Sequence, residues 1–278
     1  MNRTCQPMLS GWPIQSGTAT EWRGRAAGRV YEYVSVYSKG CLDEWMAEMK
    51  LYVFDSCPYC VRVRALAGLK GIRCELVFPV AGSLPAVLGG RVARYSVPVL
   101  EYQVAGMTEP AYLQESGAII QLLDQLDQQP VFAHYEISKG LNQWIKSTRP
   151  LLDPLCYPRM RLLDLPELAS PEALKYFNES RAQRLGMPLA RALEETAAFT
   201  TLLAEPLTAI AEYLDMESYF DGSRAITVDD LYAFAELRIL LMVQELALPG
   251  VLNNYLQALS RDCSVRLYPR INRFGDAS

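Results

Sequence analysis

The sequence predicts an α/β layer followed by an all-helical domain. Three observations predict it: a strand, helix, strand run that begins at Lys50; two further short strands leading into an apolar helix that ends near Leu126; and helical spacing with few strand signals beyond about residue 135. At 278 residues the chain suits two ordinary domains better than one large one. The expected division is a leader over 1–48, an α/β layer over 49–127, a linker over 128–138 and a helical domain over 139–278.

Residues 1–48 scatter Gly, Ser, Thr and Arg among aromatics without a sustained period, apart from a short alternation from Val30 to Tyr37, and are read as a poorly ordered leader. They lack the apolar stretch of a secretory signal. Met46 and Met49 stand just before the first convincing strand, so a start at Met49 is the expected beginning of the functional chain.

Leu51-Tyr52-Val53-Phe54 is a continuous apolar and aromatic run, the pattern of a strand covered on both faces. Cys57-Pro58-Tyr59-Cys60 then opens a helix through Ala65, Leu66 and Leu69 that stops near Gly71, and Cys74 to Phe78 reads as a second strand, parallel to the first through a right-handed crossover. A helical turn is expected near Pro85 to Leu88. Val97 to Leu100 and Ala111 to Leu113 read as strands three and four, joined as a hairpin through Gly106, and a helix runs from Ser116 to Leu126. This βαβ, ββα order is that of a thioredoxin-like layer.

In the helical part, Ser170-Pro171-Glu172 pairs a capping side chain with proline at the first helical position. Leu189, Ala192, Leu193, Thr196, Phe199, Leu202 and Leu203 keep helical spacing, which Pro206 is expected to interrupt before it resumes at Leu207. Thr227-Val228-Asp229-Asp230 resembles a capping box with Asp in the Glu position.

Half of the residues are hydrophobic and 21% are charged, the balance of a chain that can bury a core. No apolar run is long enough for a membrane span. The net charge of −4 argues against nucleic acid or an anionic membrane as partner. The seven cysteines are odd in number with one close pair, which suits a reducing cytosol and a catalytic or metal-binding pair rather than a disulfide framework.

Between a buried strand and a helix, Cys-x-x-Cys places the first sulfur at the helix N-terminus, where unpaired N–H groups and the macrodipole favour an anion. Such sites bring a thiol from about 8.5 into the range of roughly 3.5 to 7.5. Cys57 is therefore the attacking thiolate and Cys60, one turn on, the resolving thiol. Pro58 suits the first helical position and Tyr59 adds a flat wall beside the sulfur. Arg62 and Arg64 either add positive field or are solvated. A zinc half-site would need a second close cysteine pair or more than the single His134, which lies in the linker with no motif around it. Neither nucleotide-binding glycine fingerprint occurs, so the electrons are expected to come from a thiol, with no tightly bound cofactor and no metal.

The run Met49 to Cys60, with Val97-Pro98-Val99-Leu100, Glu115-Ser116, Lys175-Tyr176-Phe177 and the segment after Thr227, resembles the two-domain bacterial glutaredoxin 2 family from Met49 to about residue 260. The resemblance implies a helical domain like that of glutathione transferases, glutathione as co-substrate, and reduction of glutathionylated or disulfide-containing proteins. It implies a cis peptide bond before Pro98 facing Cys57, with the Val97 backbone pairing with glutathione. Glu115 and Ser116 are implied to receive the γ-glutamyl group, Glu115 its ammonium and Ser116 its carboxylate; without the family they read as an ordinary helix cap. Ser56 departs from the pattern, where His or another larger residue is expected. Arg94 is the candidate for the glycyl carboxylate, with a solvated loop arginine as the alternative.

The chain is accordingly expected to be a cytoplasmic, monomeric glutathione-dependent oxidoreductase with no membrane or nucleic-acid partner. The nearest alternatives are a cysteine-type glutathione transferase or dehydroascorbate reductase, and a non-catalytic binding protein on the same scaffold. Tyr157, Met160 and Arg161 could wall the site, although aromatics of a helical domain are usually core. Cys74, Cys156 and Cys263 read as small buried hydrophobes.

Overall fold

The computed structural model describes residues 23–26, 29–32, 49–83, 85–103 and 108–271. Within the leader, β1 (Arg23–Ala26) and β2 (Arg29–Glu32) pair antiparallel with Arg23 opposite Glu32. β2 takes in the start of the Val30 to Tyr37 alternation; the rest of the leader lies outside the described residues.

The remaining elements form one compact unit. Its sheet has the order β4-β3-β5-β6. β3 (Lys50–Tyr52) runs parallel to β4 (Glu75–Val77) and antiparallel to β5 (Val99–Tyr102), which pairs antiparallel with β6 (Ala111–Gln114). The crossover from β3 to β4 is α1 (Pro58–Leu69), and α2 (Ser116–Gln125) packs beside it. Leu51, Val53 and Leu100 bury against these helices. Tyr52 and Val99 face the other way, onto Leu88 of a short 3-10 turn, Ala86–Leu88. The central strand is thus covered on both faces, as its unbroken apolar run requires. The turn of the β5–β6 hairpin, with Gly106, lies outside the described residues.

The chain then enters α3 (Lys139–Met160), α4 (Pro171–Leu185), α5 (Leu189–Glu194), α6 (Thr196–Ala209), α7 (Met216–Phe220), α8 (Val228–Leu237) and α9 (Gly250–Asp262). Side chains cap four of them as their residue types dictate: Ser138 accepts from Leu141 N at 3.3 Å, Ser170 from Ala173 N at 3.1 Å, Asp215 from Ser218 N at 3.1 Å, and Thr227 with Asp230 forms a reciprocal capping box. The described part of this domain is helical apart from a single bridge between Val243 and Ile271.

Pro206 does not interrupt its helix; the break falls at Glu195 instead. The N–H that Pro206 lacks would have bonded the carbonyl of Leu202, a residue 57% exposed, so the lost bond falls on the solvent side of the helix. The Pro206 carbonyl also accepts from the buried Trp144 indole at 2.8 Å, tying α6 to α3. α3 is itself a 22-residue helix with Pro150, Pro154 and Pro158 inside it. It is the central element, packed on α4, α5, α6 and α8, and α8 in turn packs on α1. No described helix is long and apolar enough to cross a membrane.

Candidate active site

β3 ends at Tyr52, and Val53 to Ser56 lead directly to Cys57, the N-cap of α1, in extended backbone with φ −83°. Pro58 occupies the first helical turn, as expected, so the free N–H groups beyond it face the sulfur. The Cys60 thiol donates to Cys57; with the N–H groups of Cys60 and Tyr59 and the nearby Arg62 guanidinium, it holds Cys57 below the ordinary thiol range in spite of burial. Cys60 is fully buried, and burial pushes its thiol well up. Its sulfur accepts from Phe54 N at 3.4 Å. The two sulfurs thus differ as an attacking and a resolving thiol should. Both are free, as are Cys74, Cys156 and Cys263. Burial pushes Cys74 up to about 11 and Cys263 up to about 12; Cys156 and Cys263 are fully buried and Cys74 partly so.

Neither basic residue of α1 is solvated. Arg64 pairs with Asp55 at 2.6 Å. Arg62 is buried, lies 2.6 Å from the buried Glu236 of α8, and stacks between Tyr59 (4.6 Å to the ring centre) and Tyr232 (3.8 Å). Glu236 also pairs with Arg149 of α3. Tyr59 has one ring face on Arg62 and is otherwise exposed, which leaves a flat apolar surface near Cys57.

The loop before Cys57 is held from the helical side. Glu167, in a 3-10 turn at Pro166–Leu168, is buried and accepts from Asp55 N (3.1 Å), Ser56 N (2.9 Å) and Ser56 Oγ (2.7 Å). Arg238 Nη1 donates to the Asp55 carbonyl at 2.9 Å, and the Tyr268 hydroxyl lies 2.6 Å from Asp55 Oδ2. Burial works to raise the Asp55 carboxyl, but Arg238, Tyr268 and Arg64 outweigh it and hold it at about 2. Of these partners only Arg64 was singled out from the sequence; no local signal marks Glu167, Arg238 or Tyr268.

Register places the other expected residues at the same end of the sheet as Cys57. Tyr52 lies opposite Val99, so residues 97–98, just before β5, adjoin the segment that follows β3. Val99 lies opposite Gln114, so Glu115 and Ser116 adjoin them in turn. The Val97-Pro98 peptide bond is cis, as the resemblance implied. Glu115 caps α2 with a φ of 74°, and Ser116 is its buried first residue. Gln114 holds the neighbouring loop: its Nε2 donates to the Arg94 carbonyl at 2.9 Å and its Oε1 accepts from Ala93 N at 3.0 Å. Arg94 is a largely solvated loop arginine whose Nη2 lies 2.5 Å from Oε1 of the equally exposed Glu115. Tyr157 and Met160 are core, Tyr157 edge-on to Phe177, while Arg161 is exposed. His134 is exposed in the segment between α2 and α3. Among the described residues, no three His, Cys, Asp or Glu side chains are grouped to hold a metal ion.

Comparison with known proteins agrees with this architecture. Residues 51–131 match the glutathione S-transferase N-terminal domain, and residues 140–272 match the C-terminal domain of glutaredoxin 2. Glutaredoxin 2 of Escherichia coli strain K12 is 25% identical over 221 residues, 79% of this chain and 97% of the relative, and that of strain O157:H7 gives the same values. The crystal structure of glutaredoxin 2 from Salmonella typhimurium in complex with glutathione superposes with a TM-score of 0.69 at 23% identity, covering 79% of this chain and 96% of that one. The glutathione transferase GSTFuA3 of Phanerochaete chrysosporium reaches a TM-score of 0.51 at 18% identity, covering 77% of this chain and 96% of its own. One family model thus falls on the sheet layer, that of the glutaredoxin 2 C-terminal domain falls on the helices, and the curated glutaredoxin 2 relatives match across both, so the chain is similar to glutaredoxin 2 through its sheet layer and its helices.

Proposed function

We propose that the chain is a glutathione-dependent thiol–disulfide oxidoreductase that reduces protein–glutathione mixed disulfides through Cys57. The observation that carries this reading is the contrast between the two sulfurs: Cys57 at a helix N-terminus with its thiol lowered, and Cys60 buried one turn on with its thiol raised. The Cys57 thiolate attacks the glutathione sulfur of the mixed disulfide, that S–S bond breaks, and the protein leaves as a thiolate that takes up a proton. A second glutathione thiolate then attacks the glutathione sulfur held on Cys57, releasing oxidised glutathione and restoring the Cys57 thiolate. For disulfides within or between proteins, Cys60 instead attacks the mixed disulfide on Cys57 and closes a Cys57–Cys60 bond.

Glutathione is assigned to the end of the sheet where Tyr59, Val97, Pro98, Glu115 and Ser116 adjoin. The Val97 backbone pairs with its cysteine, Ser116 at the start of α2 takes the γ-glutamyl carboxylate and Glu115 the ammonium. Arg94, 2.5 Å from Glu115, then stands at the γ-glutamyl end of the tripeptide rather than at the glycyl carboxylate. In this reading the layer over 49–127 does the chemistry, 128–138 links it to the helices, and the protein works as a monomer in a reducing cytosol.

The test measures two activities of the full chain: glutathione-driven reduction of a glutathionylated small thiol, and conjugation of an aromatic electrophile. Reduction lost in Cys57→Ser and largely kept in Cys60→Ser is the expected result. Conjugation without reduction would assign the chain to the transferases instead.

A further inference from the structure

The geometry points to Glu167 as a positioning residue for thiol exchange at Cys57, a role that makes the helical domain part of the catalytic apparatus. The inference rests on the assignment of Cys57 as nucleophile. One buried carboxylate accepts three hydrogen bonds from the two residues immediately before Cys57: Asp55 N at 3.1 Å, Ser56 N at 2.9 Å and Ser56 Oγ at 2.7 Å. These N–H groups follow the end of β3 and precede α1, so neither sheet nor helix pairing satisfies them. Without Glu167 they would be buried donors seeking water, and the loop that aims the Cys57 sulfur would lose its reference point.

The small side chain at position 56 fits this role. The Ser56 hydroxyl reaches the same Oε1 atom as its own N–H, so Ser56 grips Glu167 twice. The grip is reinforced on the other side of the loop, where Arg238 Nη1 and the Tyr268 hydroxyl each lie 2.9 Å from the Asp55 carbonyl. The backbone before the nucleophile is thus fixed through both its donors and an acceptor, by residues of the helical domain. The Ala81 N–H bonds the Glu167 carbonyl at 2.9 Å, so the turn carrying Glu167 is itself anchored to the sheet layer.

Glu167 is buried beneath the loop and does not touch solvent, so it acts through Cys57 and not on the substrate. Its removal should therefore lower kcat and leave KM alone. Steady-state reduction of a glutathionylated peptide by the full chain is expected to show kcat down by about tenfold in Glu167→Ala. KM for glutathione and for the peptide should stay within about twofold of wild type. Glu167→Gln keeps an acceptor for both Ser56 donors and should recover to within about threefold of wild type. Should Glu167→Ala not fold, Ser56→Ala, which removes one of the three bonds, takes its place with a smaller loss in kcat alone. A folded Glu167→Ala or Ser56→Ala with kcat within twofold of wild type overturns the inference, as does a loss carried by KM. Cys57→Ser is run alongside: if it retains activity, the nucleophile assignment fails, whereas if it is inactive while the Glu167 variants are normal, only the positioning role fails.

Discussion

Arg238 Nη2 lies 3.1 Å from Asp55 Oδ2, so a cation from the helical domain closes onto a carboxylate two residues before Cys57. Together with Tyr268 and Arg64 it holds Asp55 at about 2, below the ordinary value of 3.8. A carboxyl depressed on folding stabilises the fold fully above its unfolded value and loses that contribution as pH falls through its folded value. The window is thus from about pH 4 down to about pH 2, and the contribution is about 2 kcal/mol for a side chain this little exposed. Urea unfolding across that window should show wild type losing stability faster than Asp55→Asn. Parallel curves for the two would rule out Asp55 as an acid-sensitive clamp.

The Cys60 thiol is the first contributor to the lowered Cys57 thiol. Cys60→Ala removes that donor and should shift the pH midpoint for iodoacetamide alkylation of Cys57 upward. Cys60→Ser, which keeps a hydroxyl donor, should fall between it and wild type. In wild type, Cys57 should react at lower pH than an ordinary thiol, while Cys60, Cys74 and Cys263, all raised by burial, stay unmodified until far more alkaline pH. Peptide mapping by mass spectrometry reads both. An unchanged midpoint in Cys60→Ala would leave the N–H groups of the helix N-terminus and the Arg62 guanidinium as the stabilisers of the thiolate.

What the sequence carried and what it concealed divide along a physical line. The strand into Cys57, the proline-opened helix and the Thr227 capping box are local: their residue types act on neighbours a few positions away, and all were legible. Glu167 lies 111 positions from Ser56, and Tyr268 lies 213 from Asp55. A buried carboxylate in Leu-Pro-Glu-Leu looks like any loop acid until folding brings its donors to it. The prolines mislead in the opposite direction. Local rules weigh against a helix through Pro150, Pro154, Pro158 or Pro206, yet α3 and α6 continue because packing in the helical domain outweighs the lost bonds.

Glu236 is fully buried between Arg62 and Arg149, and Arg62 Nε has no hydrogen-bond partner. Removing the carboxylate leaves two guanidinium groups without compensation at the contact between α1, α3 and α8. Glu236→Ala should therefore cost about 3–5 kcal/mol in denaturant unfolding. Glu236→Gln should cost less, because its amide oxygen still accepts from one arginine. A loss under 1 kcal/mol in Glu236→Ala would mean that water reaches the arginines.

The same substitution at two helical glycines should move stability in opposite directions. A Cβ at Gly68 of α1 would lie 1.8 Å from the Cys263 carbonyl oxygen and 2.7 Å from its carbon, backbone atoms just past the end of α9 that cannot rotate away. Gly68→Ala must push α1 and the Cys263 region apart, with an overpacking cost of about 1–3 kcal/mol. A Cβ at Gly117 of α2 would meet only the Tyr232 hydroxyl at 4.0 Å, and its φ is ordinary. Gly117→Ala therefore gains from the lower backbone entropy of the unfolded chain and should stabilise by up to about 1 kcal/mol. Thermal or urea unfolding of the two variants beside wild type checks both signs. Equal effects at the two positions would show that glycine's intrinsic helix propensity, and not the close approach to Cys263, governs Gly68.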